Sequence, residues 1–118
     1  MGGKVSHHGG VAAEAQVAAH YQRGGREIAA RRWRGPGGEI DLIAREGNRL
    51  VFVEVKKSSS FARAAERLSR RQMDRICRSA AAYLAREPLG QNTEVRFDVA
   101  LVDGFGRIDI LENAFGEY

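Results

Sequence analysis

Two apolar runs that meet at Gly47-Asn48 constrain this chain more than any other stretch. Gly38-Glu39-Ile40-Asp41-Leu42-Ile43-Ala44 and Leu50-Val51-Phe52-Val53-Glu54-Val55-Lys56 read as strands, and the Gly-Asn pair between them marks a two-residue hairpin loop. Counting outward from that loop sets Glu46 against Arg49, Arg45 against Leu50, Asp41 against Glu54 and Glu39 against Lys56. Side chains alternate across a strand, so Ile40, Leu42, Ala44, Val51, Val53 and Val55 are expected on one face as a core layer. Asp41, Glu54 and Lys56 then share the other face with Ile43, Leu50 and Phe52. Opposed carboxylates repel across a ladder. One of the two acids is therefore expected to titrate high, or the pair to share a cation.

A solvated sheet face would hold such acids without further meaning. Their apolar neighbours argue instead for a partly buried cleft. Carboxylate oxygens suit a hard divalent ion, Mg²⁺ or Mn²⁺. A lysine beside them can orient or deprotonate a water, or neutralise charge developing on phosphorus. The reading depends on register, because a one-residue slip sends either acid to the opposite face.

A chain of 118 residues with 43% hydrophobic and 29% charged content fits one globular domain, expected over 11–118 behind a disordered tail at 1–10. No apolar run approaches the roughly 18 residues of a membrane span, and no hydrophobic signal core opens the chain. A cytoplasmic location without membrane contact is expected. Cys77 is the single cysteine, which excludes an intrachain disulfide and a cysteine-based zinc site. The formal charge is +4. Between Ala62 and Glu87 seven arginines stand against Glu66, Asp74 and Glu87, so that segment alone matches the whole excess. A second cluster, Arg23, Arg26, Arg31, Arg32 and Arg34, precedes the hairpin. Compositional bias also yields arginine-rich helices, but this segregation favours a nucleic-acid partner.

Along the chain, His7 and His8 fall in the tail and read as inert. A helix is expected from about Val11 to Arg23, its stripe reading Glu14, Val17, Ala18, Tyr21. Glu14 on that stripe is either a solvent-edge or helix-dipole glutamate or a further site acid. Gly24-Gly25 stops the helix, and Arg26 to Arg34 reads as a strand with imperfect alternation. Gly35-Pro36-Gly37-Gly38 is a turn, too irregular for a phosphate-cradling loop. After Lys56 a polar link leads into one long helix with a face at Phe61, Ala65, Leu68, Gln72, Ile76, Ala80, Tyr83 and Leu84. Arg67, Arg71, Arg75 and Arg78 make a separate stripe, and the helix is expected to end near Glu87-Pro88. Strands at Val95–Val102 and Arg107–Leu111 complete an αβββαββ order, an α/β fold with a mixed sheet of about five strands and helices packed on it.

The GEIDLIA and LVFVEVK segments resemble the central signature of the YraN-like family. These are small bacterial proteins similar to nucleases of the PD-(D/E)XK superfamily and close to archaeal Holliday-junction resolvases. The similarity runs from the Glu14 helix through Tyr21 and Trp33-Arg34 to Arg96-Phe97-Asp98-Val99, covering about Val11 to Leu111. It implies a restriction-endonuclease-like core in which Asp41 and Glu54 hold Mg²⁺ or Mn²⁺ with the Val55 carbonyl. Lys56 would act on water or phosphate, and Glu14 would be the added helix acid. This chain has Lys57 and Ser58 where the family usually has Thr and Arg, Gln72 where lysine is common, and Arg32 where asparagine is common. The resulting expectation is a metal-dependent nuclease cutting DNA, branched or flapped. The alternative is a non-catalytic nucleic-acid-binding protein that keeps the fold. Candidate nucleic-acid contacts are Arg67, Arg71, Arg75, Arg78, Arg32, Arg34 and Gln72. A homodimer is compatible with either reading.

Overall fold

Gly47 closes the hairpin at φ 61°, and Asn48 after it keeps a negative φ. Glycine first and a negative φ second is the arrangement of a II′ turn, whose twist matches the strands it joins. The computed structural model describes residues 2–116, with side chains from Val11 onward. The expected disorder of the tail at 1–10, and His7 and His8 within it, lie outside the described side chains.

Helix α1 spans Gly2–Arg23, β1 Glu27–Gly35, β2 Gly38–Glu46, β3 Arg49–Lys57, α2 Phe61–Glu66, α3 Arg70–Leu84, β4 Val95–Val102 and β5 Ile108–Leu111. A 3₁₀ turn at Gly90–Asn92 precedes β4. The five strands lie in the order β1-β2-β3-β4-β5. Neighbours are antiparallel except β3 and β4, which run parallel. A parallel pair needs a crossover, and α2 and α3 supply it.

Each sheet face is covered by its own helix. Ala13, Val17, Ala18 and Tyr21 of α1 pack on Leu42, Ala44, Val51, Val53, Ala100 and Val102. On the opposite face, Ile76, Ala80, Tyr83 and Leu84 of α3 pack on Ile43, Leu50, Phe52, Val99 and Leu101. Burying a side chain of this size contributes about 1.5–3 kcal/mol, so both helices are held mainly by these stripes.

The hairpin register expected near the turn is the one observed, with Glu46 on Arg49, Arg45 on Leu50 and on to Leu42 on Val53. Two expectations are corrected. Ile40 does not join Leu42; it packs with Ile43, Leu50 and Phe52 on the α3 side. The described β2–β3 pairing stops at Leu42–Val53, so strict alternation ends just before Asp41. The long helix is two, because Ser69 interrupts it and caps α3 by accepting the Gln72 N–H at 3.1 Å. The turn buries Ala64 and leaves Ala65 exposed. The imperfect alternation expected of β1 is observed and has a physical cause, a bulge with a register shift between Ile28 and Ala30.

Candidate functional site

The site forms where the hairpin loses its regularity. Asp41 is half-buried, and its Oδ2 accepts the Val55 N–H at 2.8 Å. A side-chain oxygen thus takes a donor that a main-chain carbonyl would otherwise take in an antiparallel ladder. Arg32 lies between Arg31, paired with Leu42, and Trp33, paired with Ile40, and adopts φ 49°. Left-handed backbone is uncommon for arginine and easier for asparagine. From this conformation Arg32 Nε donates to Glu14 Oε1 at 2.7 Å.

Carboxylates from two elements converge here. Ligand atoms of Glu14 on α1 and of Glu39 and Asp41 on β2 lie within 4.8 Å of one another. Asp41 also meets Glu54 on β3. Burial, then the hydrogen bond and the repulsion from Glu54, push the Asp41 carboxyl up to about 8, against the opposing Val55 N–H. Glu14 is raised as well, by burial first and by the Asp41 charge, with Arg32 working in the other direction. In the absence of an added cation, Asp41 and Glu14 therefore hold their protons more tightly than free carboxyls do.

Two shallow clefts flank this group. One, about 140 Å³, is lined by Val11, Glu14, Arg31, Arg32 and Asp41 on the α1 side. The other, about 130 Å³, is lined by Gly37, Glu39, Glu54, Gln72, Arg75 and Ile76 on the α3 side. Glu39 joins them, because it belongs to the acidic cluster and to the second cleft. Glu54 is buried; Gln72 Nε2 donates to its Oε2 at 2.8 Å and Lys56 Nζ lies 3.7 Å from the same oxygen. Gln72, expected as a nucleic-acid contact, holds the Glu54 carboxylate in this structure. The break before α3 starts a new helix two residues before Gln72. Val55 pairs with Ala100 of β4 and gives its N–H to Asp41.

Buried polar links hold the helices that carry these groups. Tyr21 Oη donates to Asp98 Oδ2 at 2.8 Å, and Arg96 donates twice to the same carboxylate, at 2.8 and 2.9 Å. This ties α1, and Glu14 with it, to β4. Ser79, fully buried on α3, accepts the Gly37 N–H at 3.0 Å and donates to the Gly38 carbonyl at 2.8 Å. A Cβ at Gly37 would stand 2.0 Å from the Arg75 carbonyl oxygen. Gly35 and Gly37 serve close approach to α3, while Gly38 at φ 120° serves the turn's backbone. Neither Ser79 nor Glu39 was singled out by the sequence. Glu39 had a signal, since it lies two residues before Asp41 on the same strand, whereas a buried serine among alanines has none.

Arg71, Arg75 and Arg78 are exposed along α3, with no carboxylate at ion-pair distance among the described residues. Arg34 is exposed on β1. Arg67 falls at the end of α2, off the α3 stripe, and donates to the Lys57 carbonyl at 2.9 Å. Arg32 is occupied by Glu14. No helix among the described residues is long and apolar enough to cross a membrane.

Fold and site define an α/β protein whose mixed five-stranded sheet gathers acids and a lysine beyond one end of its central hairpin. The chain belongs to the uncharacterised protein family UPF0102, the YraN-like group, whose model matches residues 13–102. A UPF0102 protein of Cereibacter sphaeroides is 64% identical over 115 residues, 98% of each chain. One from Ruegeria pomeroyi is 60% identical over 114 residues, covering 97% of this chain and 93% of its own. One from Roseobacter denitrificans is 50% identical over 115 residues, covering 98% and 89%.

Proposed function

We propose that this protein is a divalent-metal-dependent nuclease that hydrolyses phosphodiester bonds in DNA, branched or flapped structures among them, on a restriction-endonuclease-like core. The observation that carries the reading is the convergence of Glu14, Glu39 and Asp41 within 4.8 Å, with Asp41 joined to Glu54 and Glu54 beside Lys56.

The donor set fits Mg²⁺ or Mn²⁺. Every candidate ligand is a carboxylate oxygen, the choice of hard cations, with neither histidine nor cysteine in the group. Asp41 and Glu54 would hold the ion, with Glu14 and Glu39 close enough to share it. A bound ion supplies charge against a phosphoryl oxygen and acidity to water. The chain's own residues do the rest. Gln72 keeps Glu54 in one rotamer through its amide. Lys56, mostly buried at 17% side-chain exposure, can donate to a phosphate oxygen or orient the attacking water. Arg75 lines the same cleft as Glu54, and Arg71 and Arg78 extend that charge along α3 for the flanking phosphates.

The test is cleavage of single-stranded, duplex, flapped and four-way DNA with Mg²⁺ or Mn²⁺, with Glu54→Gln as control. Metal-dependent cleavage lost in Glu54→Gln supports the reading. Cleavage that survives the substitution, or tight binding with no turnover under any metal, overturns it; the second outcome favours a non-catalytic binding protein.

A further inference from the structure

At the same end of the sheet the chain presents one aromatic ring to solvent. Phe105, 85% exposed, sits in the turn between β4 and β5. This turn is tightly built. Buried Asp103 accepts the N–H groups of Phe105 and Arg107, both at 2.9 Å, and Arg107 Nε at 2.6 Å. Gly106 at φ 81° donates its N–H to the Asp103 carbonyl. The Arg107 guanidinium carbon stands 5.3 Å from the Phe105 ring centroid, which limits how the ring can turn.

Position links the turn to the acids. Val102 pairs with Lys57, and the Ser58 N–H donates to the Val102 carbonyl. With about 3.3 Å per strand residue, that is on the order of 10 Å beyond Glu54, or about three stacked nucleotides. A Cβ at Gly106 would lie 3.2 Å from Gln16, two residues past Glu14 on α1, and one at Gly104 would lie 3.7 Å from Ser59. The turn is therefore wedged between the helix of the site and the segment that follows Lys57.

We infer that Phe105 is a stacking platform for an unpaired nucleobase of the substrate, with Arg107 steering the adjoining phosphate. The inference rests on the nucleic-acid reading above and names the part of the substrate seized there, a single-stranded arm rather than paired duplex. A base offers a flat face that any sequence supplies, and a ring with a cation at its side suits it. A protein partner would need on the order of 800 Å² from each side, whereas a single ring supplies at most about 250 Å². Among the described residues, the other large exposed apolar side chains, Val11, Leu89 and Leu111, belong to α1, to the segment after α3 and to β5, not to this turn.

The test measures affinity without metal, in EDTA, for a fluorescent single-stranded oligonucleotide and the same sequence as blunt duplex. The proteins are wild type, Phe105→Ala and Phe105→Trp. Phe105→Ala should weaken single-strand binding about 5- to 100-fold, leave duplex binding within about twofold and keep the slope of affinity against salt. Phe105→Trp should restore affinity, with indole fluorescence quenched on binding. Because Phe105 is exposed, melting temperature should not move, which separates stacking from misfolding. Salt-dependent wild-type binding with Phe105→Ala unchanged, or equally weakened on both DNAs, overturns the platform alone. A wild type that binds neither DNA overturns the platform and the nucleic-acid reading together.

Discussion

The two ends of the central hairpin carry similar residues and opposite electrostatics. At the turn end, Glu46 accepts from Arg26 and Arg49, with Arg96 close by. The hydrogen bonds of Arg49 and then Arg26 hold its carboxyl down to about 2. At the open end, burial and the Glu54 carboxylate push Asp41 up to about 8. One end resembles ordinary stabilising chemistry, with each acid met by a base. At the other, Arg32 reaches Glu14 and Lys56 lies near Glu54, but among the described residues no base meets Asp41, which keeps its proton instead. Residues that work against stability persist where structure elsewhere holds them, and here that support comes from the Ser79 link to the Gly37-Gly38 turn and the Tyr21–Asp98–Arg96 network.

The contrast can be broken at several points. The largest effect is expected in turnover. Asp41→Asn, Glu54→Gln and Lys56→Ala should each lower cleavage by about a hundredfold or more, while DNA affinity stays within a few-fold. Equal losses in binding and cleavage would mean the variants misfold. Next comes Gly37→Ala, whose methyl would strike the Arg75 carbonyl. A loss of about 1–3 kcal/mol is expected from denaturant melts, and an unchanged midpoint would show that the turn and α3 are not in contact.

The pH dependence of stability sharpens the comparison. Unfolded aspartate releases its proton near pH 4, whereas folded Asp41 keeps it to about 8. Between those values the native state binds the extra proton, so metal-free stability should fall as pH rises, by up to about 1.4 kcal/mol per unit, and level off above 8. Asp41→Asn should flatten that slope while an amide oxygen still accepts the Val55 N–H. Glu46 has the opposite sign: its contribution is present above about pH 4 and is lost as pH falls toward 2. At neutral pH Glu46→Gln should cost no more than about 1 kcal/mol, and less at high salt, because these pairs are partly exposed. The smallest expected change lies in binding. Replacing Arg71, Arg75 and Arg78 by alanine should reduce the slope of log affinity against log salt by about 0.9 per lost duplex phosphate contact. An unchanged slope would move the DNA surface to the arginines preceding the hairpin.

Much of the architecture was legible because it follows from local chemistry. The Gly-Asn loop and alternating Val, Ile and Leu set a register that the structure keeps from Glu46 to Leu42. It fails one residue later for a reason no periodicity carries: the Asp41 side chain takes the Val55 N–H, Arg32 turns left-handed alongside, and Ile40 swings to the α3 core. The nearness of Asp41 to Glu54 was expected from the pairing count. Glu39 as the third member of the cluster was not, since it read as the mate of Lys56. The helix break at Ser69 was hidden by an apolar spacing that runs across it, and only the cap explains how the Gln72 amide comes to hold Glu54.

The open end is, on this reading, an anion-rich pocket completed by a cation, and thermal melting with and without Mg²⁺ tests that most directly. An ion that binds only the folded state stabilises it by RT ln(1 + [L]/Kd). With a Kd of about 1 mM, about 10 mM Mg²⁺ should add about 1.4 kcal/mol, a rise of about 4–8 °C for a domain of this size. Asp41→Asn should melt higher than wild type in EDTA at neutral pH and lose most of the Mg²⁺ response. A variant that melts lower in EDTA and still gains the full shift with Mg²⁺ would contradict a shared site at Glu14, Glu39, Asp41 and Glu54.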